Sequence, residues 1–409
     1  MSGVRKLKNL IFSMGVMICV PIMAGNISME YELQETWFEQ PIDHAKSDSG
    51  TFKQQVLLLK SNDVKNDANI FFVLGNETDS TFLEIENLYQ KYGSPKNTVF
   101  IIAEHRGYGQ SQKQGDNTVP DYVSISQALT DDYKVLSHYK TIYSGRVMVG
   151  GYSYGGALAT QFTYNYPGLM DATLNSSGPI HWPFMIPEYS VHSTTHLGRN
   201  FSARLREHAE ALKPVKLFDE NWRQRELLTG ISVGLTQRSD SQYLTPIIKL
   251  LSYLPTSLFA WSMDLLVPQK GKAWSDNRRA QAVSFEKAQS GKFNWYLWKY
   301  QQCYELGTFF NGGPFAQTKQ DHLDDCLATF GKPATYADAK KWDVASLIAD
   351  IKTPYIAVSG RKDPWIELGI KPDHTFSNIT YMYAKEGFHC PDRDSVALGV
   401  KVYRALLDQ

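Results

Sequence analysis

Apolar residues follow two different rhythms along this chain. Up to about residue 180 they form short, almost unbroken runs at 70–74, 98–103 and 147–150, with helically spaced stretches at 82–92 and 125–139 between them and a strand-like run at 51–59 before them. A run that is apolar at every position reads as a strand buried on both faces. Such strands alternating with amphipathic helices predict a mostly parallel sheet covered on both sides. A further strand-like run at 36–40 precedes a Ser/Asp/Gly-rich turn. From about residue 183 to residue 337 the alternation gives way to long helical patterns, at 201–212, 221–228 and 245–254 among others, rich in aromatics and broken by Pro and Gly. Strand-like runs return at 354–359 and 379–383, and a last helix is expected over 395–407. The fold class is therefore α/β, with a helical insertion dividing the sheet-forming parts. The expected organisation is a leader at 1–24, a first core part at 25–183, a helical cap at 184–345 and a second core part at 346–409.

The leader changes the picture of where the chain works. Arg5, Lys6 and Lys8 precede an apolar run from Leu10 to Met23 that ends at Ala24-Gly25. That order reads as a signal peptide, so the expected location is secreted or periplasmic. The run is short for a membrane span, and stable membrane insertion is not expected. The 42 basic and 42 acidic residues balance, which excludes electrostatic capture of nucleic acid. Cys303, Cys326 and Cys390 follow the leader. Export permits a disulfide, and Cys303 with Cys326 is the expected pair because both lie in one region of the insertion. Cysteines scattered this widely do not make a zinc site. No metal or organic cofactor is expected.

The chemistry is concentrated in Gly151-Tyr152-Ser153-Tyr154-Gly155. The pentapeptide follows a predicted strand and precedes a small-residue stretch with helical character, an order that exposes the Ser153 hydroxyl on a tight turn. A serine hydroxyl is a weak nucleophile until a base takes its proton, and the base needs a carboxylate to orient it. Asp363 follows the strand at 354–359, and His389 follows the one at 379–383. Ser, Asp and His in that order, each after a strand, is the arrangement of an α/β-hydrolase fold. Asp392 and Asp394 are the fallback carboxylates. The oxyanion hole is expected from the backbone N–H of Tyr154 and a second donor in the loop at Gly75-Asn76-Glu77. Glu104-His105-Arg106 reads as a charge-paired knot holding the loops around the nucleophile.

These strings resemble the S28 serine peptidases, the prolyl carboxypeptidase and dipeptidyl peptidase II group. The resemblance is carried by Trp37-Phe38-x-Gln40-x-Ile42-Asp43-His44, Thr51-Phe52-x-Gln54, Gly75-Asn76-Glu77, Glu104-His105-Arg106-x-Tyr108-Gly109-x-Ser111 and Gln127-Ala128-Leu129-x-Asp131. It continues through the nucleophile string, Ser177-Gly178-Pro179-Ile180, Trp298-x-Tyr300-Gln301-x-Cys303-x-Glu305-x-Gly307, Asp363-Pro364-Trp365 and His389. Thr78-Asp79 departs from the family's Gly-Asp. Pro41-Ile42-Asp43-His44-Ala45 and Gly50-Thr51-Phe52 also resemble the S37 tripeptidyl aminopeptidases. The resemblance implies a triad of Ser153, Asp363 and His389 under a helical cap, acting on short peptides with proline near one end.

The expected function is a secreted serine exopeptidase, acting at proline-containing N-termini to release di- or tripeptides. Glu77 would then receive the free amine, while Trp298, Glu305 and Trp365 would line the substrate side of the cap. C-terminal cleavage of the prolyl carboxypeptidase type, an esterase or lipase of the same fold, and a non-catalytic binding protein are the alternatives. The expected partners are short peptides, and a homodimer is compatible with this reading.

Overall fold

Eight strands form one sheet in the order β1-β2-β4-β3-β5-β6-β7-β8. They are β1 (Tyr31–Pro41), β2 (Thr51–Ser61), β3 (Asn69–Leu74), β4 (Thr98–Ala103), β5 (Val147–Tyr152), β6 (Ala172–Ser176), β7 (Tyr355–Gly360) and β8 (Ile379–Ala384). From β4 to β8 every neighbouring pair is parallel, while β2 runs antiparallel to β4. This computed structural model describes residues 30–113, 121–212, 235–237, 244–266, 294–308, 319–335, 339–371 and 376–408. The expected leader and the helix expected at 221–228 lie outside them.

The unbroken apolar runs are explained by burial on both faces. Ile70, Phe72, Val147 and Val149 point into one layer, with Val135 and Leu136 of helix α2 (Ile125–Lys140) and Leu158 and Phe162 of α3 (Tyr154–Asn165). The alternate residues face the other way: Phe71 meets Tyr92, beyond helix α1 (Phe82–Lys91), and Phe100 edge-on. Tyr403 of the last helix packs against Tyr92 in the same layer. A period-2 strand between two helical layers buries every side chain, so no polar position interrupts it. Thr81 starts α1 by accepting from the Glu84 N–H at 3.2 Å, an N-cap interaction that satisfies one of the helix's orphan donors.

The chain leaves the sheet after β6, and the elements described before β7 are all helical. They include α4 (Pro187–Leu197), α5 (Arg199–Ala211), α6 (Thr245–Leu251), α7 (Thr256–Leu266), α8 (Asn294–Gln301), a π-helical turn at Gln302–Leu306 and α9 (Lys319–Phe330). The expected helices at 201–212 and 245–254 correspond to α5 and α6. A disulfide joins Cys303 in the π-helical turn to Cys326 in α9, as the sequence predicts, and Cys390 is a buried free thiol. The bridge closes a loop of 23 residues. Replacing both cysteines by serine should lower unfolding stability by about 2–4 kcal/mol. Denaturant titration of the double variant measures this, and an unchanged midpoint would show that packing alone holds α9 in place.

After β8 come the short helix α10 (Pro391–Asp394) and the terminal α11 (Val396–Leu407). Two features differ from the sequence reading. The strand expected at 147–150 continues to Tyr152, and β6 was not foreseen. Its polar positions are paired inside the core: Thr173 with Thr163 at 2.7 Å, and Asn175 with Thr160 at 3.0 Å.

Candidate active site

Ser153 lies between the end of β5 and the first turn of α3, with φ of 56° and ψ of −127°. An L-residue held at positive φ costs free energy and persists only where its surroundings impose it. Here β5 and α3 meet so closely that a Cβ on Gly151 would strike the carbonyl of Gly155, and one on Gly155 would lie 2.9 Å from the Leu74 oxygen. Ser153 donates its N–H to the Ser176 oxygen at 2.9 Å. The turn is thus clamped between β3 and β6.

Asp363 and His389 come together from the ends of β7 and β8. The His389 Nδ1 and Asp363 Oδ2 atoms are 2.8 Å apart, and Asp363 is fully buried. The second carboxylate oxygen of Asp363 accepts the Trp365 N–H at 3.0 Å, so both oxygens are used and the group has one orientation. Burial works against a charged His389. Burial is the largest single influence, but the charge and hydrogen bond of Asp363 together with those of Cys390 outweigh it and lift the imidazole pKa well above its ordinary value. From the cap, the Gln237 carbonyl accepts the His389 N–H at 3.0 Å. The fallback carboxylate Asp392 is fully buried and engaged elsewhere, accepting from Tyr92 and Ser176 at 2.5 Å each.

The N–H of Tyr154 is the first of α3 and has no intrahelical acceptor by position. The loop after β3 departs from expectation at Gly75, whose N–H is already held by the Ala103 oxygen at 2.8 Å. That hydrogen bond continues the β3–β4 ladder past the strand end, so Gly75 cannot serve an oxyanion. Asn76 folds its side chain over the Thr78 N–H at 2.9 Å, leaving its own N–H without an acceptor among the described residues. Asn76 and Tyr154 are therefore the pair of donors that the local backbone leaves open.

Glu77 lies against the nucleophile. Ser153 Oγ donates to Glu77 Oε1 across 3.4 Å, and Glu77 Oε2 is buried with no hydrogen-bond partner among the described residues. Burial raises the pKa of this carboxyl, while a contact with its own backbone N–H, nearby His389 and Ser153 act in the opposite sense.

The remaining substrate-side expectations are redistributed. Glu305 has a partner in the core: both of its oxygens accept the Ile125 N–H, at 3.2 and 3.0 Å, at the start of α2. A carboxylate on an orphan donor at a helix N-terminus is a capping interaction, and it ties the π-helical turn to the core. Trp298 packs on the Tyr154 ring with centroids 5.0 Å apart, and Trp365 meets Tyr189 at 5.3 Å. The residue without an assigned role in the sequence reading is Gln301. It accepts from the Tyr108 hydroxyl at 2.5 Å and donates to the Tyr154 hydroxyl at 2.9 Å. Tyr154 thus has a cap residue on its side chain and an open N–H beside Ser153.

The knot expected at Glu104-His105-Arg106 is present. Glu104 accepts from the Ser80, Gln110 and Ser111 N–H groups at 2.8 Å each. Arg106, fully buried, holds both oxygens of Asp131 at 2.7 Å. The first anchors the loop carrying Glu77 to the loop after β4; the second fastens that loop to α2. Among the described residues no cluster of His, Cys, Asp and Glu is arranged to hold a metal ion, and no helix is long and apolar enough to cross a membrane.

Comparison with known proteins bears on the same region. The profile of serine carboxypeptidase S28 matches residues 40–206. Lysosomal Pro-X carboxypeptidase from Pongo abelii is 33% identical over 177 residues, which is 40% of this chain and 34% of that protein. The match therefore spans about a third of that relative's length. The Bos taurus protein of the same name aligns more widely, at 24% identity over 91% of this chain and 85% of its own. Among solved structures, proline iminopeptidase from Mycobacterium smegmatis is 13% identical with a TM-score of 0.43, covering 91% of this chain and 98% of that one. The part of the chain that resembles the serine carboxypeptidase S28 family, residues 40–206, carries the nucleophile turn, the Gly75-Asn76-Glu77 loop and the Glu104–Arg106 knot.

Proposed function

We propose that this protein is a serine exopeptidase that hydrolyses short peptides, removing the residue that follows proline at the C-terminus. The observation that carries the hydrolase reading is the oriented Asp363–His389 pair beside a nucleophile turn whose serine is held at positive φ. Ser153 Oγ attacks the scissile carbonyl carbon as His389 Nε2 takes the hydroxyl proton. Asp363 keeps Nδ1 protonated and stabilises the imidazolium. The Tyr154 and Asn76 N–H groups receive the carbonyl oxygen as it becomes negative. His389 then protonates the leaving amine, and the acyl-enzyme is released by water that His389 deprotonates.

The relatives named Pro-X carboxypeptidase support C-terminal release. Release of di- or tripeptides from proline-containing N-termini is the second reading. It draws on Glu77, where an ionised carboxyl beside the nucleophile would be a counter-charge for a substrate ammonium. The two readings differ in which terminus must be free. N-acylated peptides ending in Pro-Xaa should be hydrolysed at least about tenfold faster, in kcat/KM, than amine-terminal Xaa-Pro amides. Mass spectrometry of the products identifies the terminus attacked. The opposite order of rates would establish N-terminal release. Turnover of long-chain esters with none of peptides would point to a lipase of the same fold.

A further inference from the structure

We propose that Glu77 is a further catalytic residue, acting as a neutral carboxylic acid that donates a hydrogen bond to the oxygen atoms on the reacting carbon. The proposal rests on the hydrolase reading but not on which peptide terminus is cut. It begins from position. Glu77 lies in the loop after β3, next to Asn76 with its open N–H, and its carboxyl oxygen is 3.4 Å from Ser153 Oγ. The other oxygen is buried and has no hydrogen-bond partner among the described residues, so a proton there would find no acceptor among them. The loop is not free to swing away. Asn76 holds Thr78, and Glu104 holds the Ser80 N–H at 2.8 Å.

An ionised carboxylate here would oppose catalysis in two ways. It would keep the Ser153 hydroxyl directed at Oε1, away from His389. It would also place a negative charge beside the oxygen that becomes an anion in the tetrahedral intermediate. In a desolvated site both effects are large. Protonated, the same group contributes a donor. A carboxylic acid kept neutral by an apolar environment, so that it can donate to an oxyanion, is a known catalytic device.

The surroundings determine how the proton is held. Glu77 faces His389 from the loop after β8, Glu84 from α1, Tyr108 from the loop after β4, and Tyr154 from α3. Glu84 opposes a second negative charge, and burial keeps the two phenols neutral. His389 is the partner that matters. One proton shared by Glu77 and His389 has two arrangements of equal net charge. Neutral acid with neutral imidazole is productive, because Ser153 can give its proton to Nε2. Carboxylate with imidazolium is not, because the base is already protonated. Adding a proton to the pair blocks the base, and removing one converts the donor to an anion. The pair therefore titrates as a unit, and activity is confined between its two macroscopic steps.

The test compares wild type, Glu77→Gln and Glu77→Ala on an N-acylated Pro-Xaa peptide and on a free-amine peptide, from about pH 4 to about pH 9. Wild type should give a bell-shaped kcat/KM profile. Glu77→Gln keeps a donor that cannot ionise, so its profile should lose the alkaline limb and rise to a plateau, within about tenfold of the wild-type maximum. Glu77→Ala should lower kcat about 10²-fold at the wild-type optimum with KM little changed. Thermal midpoints check that both variants fold. The wild-type rate of fluorophosphonate labelling at Ser153, which needs no variant, should trace the same bell. Retention of the alkaline limb in Glu77→Gln would overturn the proposal. A loss confined to free-amine peptides would also overturn it, making Glu77 a receptor for the substrate ammonium. Wild-type protein that neither labels nor cleaves would instead defeat the hydrolase reading itself, and this proposal with it.

Discussion

Replacing Ser153 by Ala should lower kcat/KM at least about 10⁴-fold and abolish covalent labelling by a fluorophosphonate. The size of the loss follows from the covalent route. No other described hydroxyl is placed at the positive-φ turn between β5 and α3, so the acyl-enzyme cannot form elsewhere. What remains is whatever the oxyanion donors achieve with water. Stability should hardly fall, because Ala removes only a hydroxyl and the backbone strain at φ 56° is imposed by Gly151, Gly155 and the Ser176 oxygen. Full activity in the folded variant would mean that Ser153 is not the nucleophile.

The second large effect is expected at Asp363. Asp363→Asn should lower kcat about 10⁴-fold near neutral pH with little change in KM. The amide is nearly isosteric, so the 3.0 Å contact with the Trp365 N–H can survive through its oxygen. Its NH₂ would then face His389 Nδ1 and favour the tautomer that carries its proton on Nε2. That tautomer cannot accept the Ser153 proton. Loss of the carboxylate also removes the charge that raises the His389 pKa, so the acid limb of the pH profile should move to lower pH even as the rate falls. Single-turnover kinetics of acylation would isolate the step. A variant within tenfold of wild type would shift the orienting role to another carboxylate, and Asp392 would be the first to examine.

Much of this was legible in the sequence because it is local. A run apolar at every position, a glycine-flanked serine and a strand end each announce themselves within a few residues. Ser153, Asp363 and His389 could therefore be placed on their elements before any distance was known. The strand β6 escaped because its Thr173, Asn175 and Ser176 break the apolar pattern. Their partners, Thr163, Thr160 and Asp392, are supplied from elsewhere in the chain. Glu305 shows the same limit. A carboxylate in an aromatic-rich segment resembles a ligand-binding group until the start of α2, 180 residues away in sequence, is found docked onto it. Within the Gly75-Asn76-Glu77 loop, sequence alone does not say which N–H is left for an oxyanion. The ladder to Ala103 runs one residue beyond the strand and takes the Gly75 donor, leaving the role to Asn76. Gln301 stands in a string that carries the family resemblance, but its role could not be read there, because an amide that bridges two tyrosines is chemically ordinary everywhere except between those two rings.

The interrupted sheet has a consequence for the life of the chain before it is complete. Strands β6 and β7 lie side by side, yet the chain leaves at Ser176 and returns only at Tyr355. During synthesis the nucleophile turn can form early, while the aspartate and histidine that would activate it are still absent. Closing so distant a pairing is slow compared with local structure. Catalytic competence therefore arrives last, with the buried Tyr152–Tyr92–Asp392–Ser176 chain fastening the late segment onto the early one. A nascent or C-terminally clipped chain would hold Ser153 without Asp363 and His389, and so, on the proposed mechanism, a serine with no base.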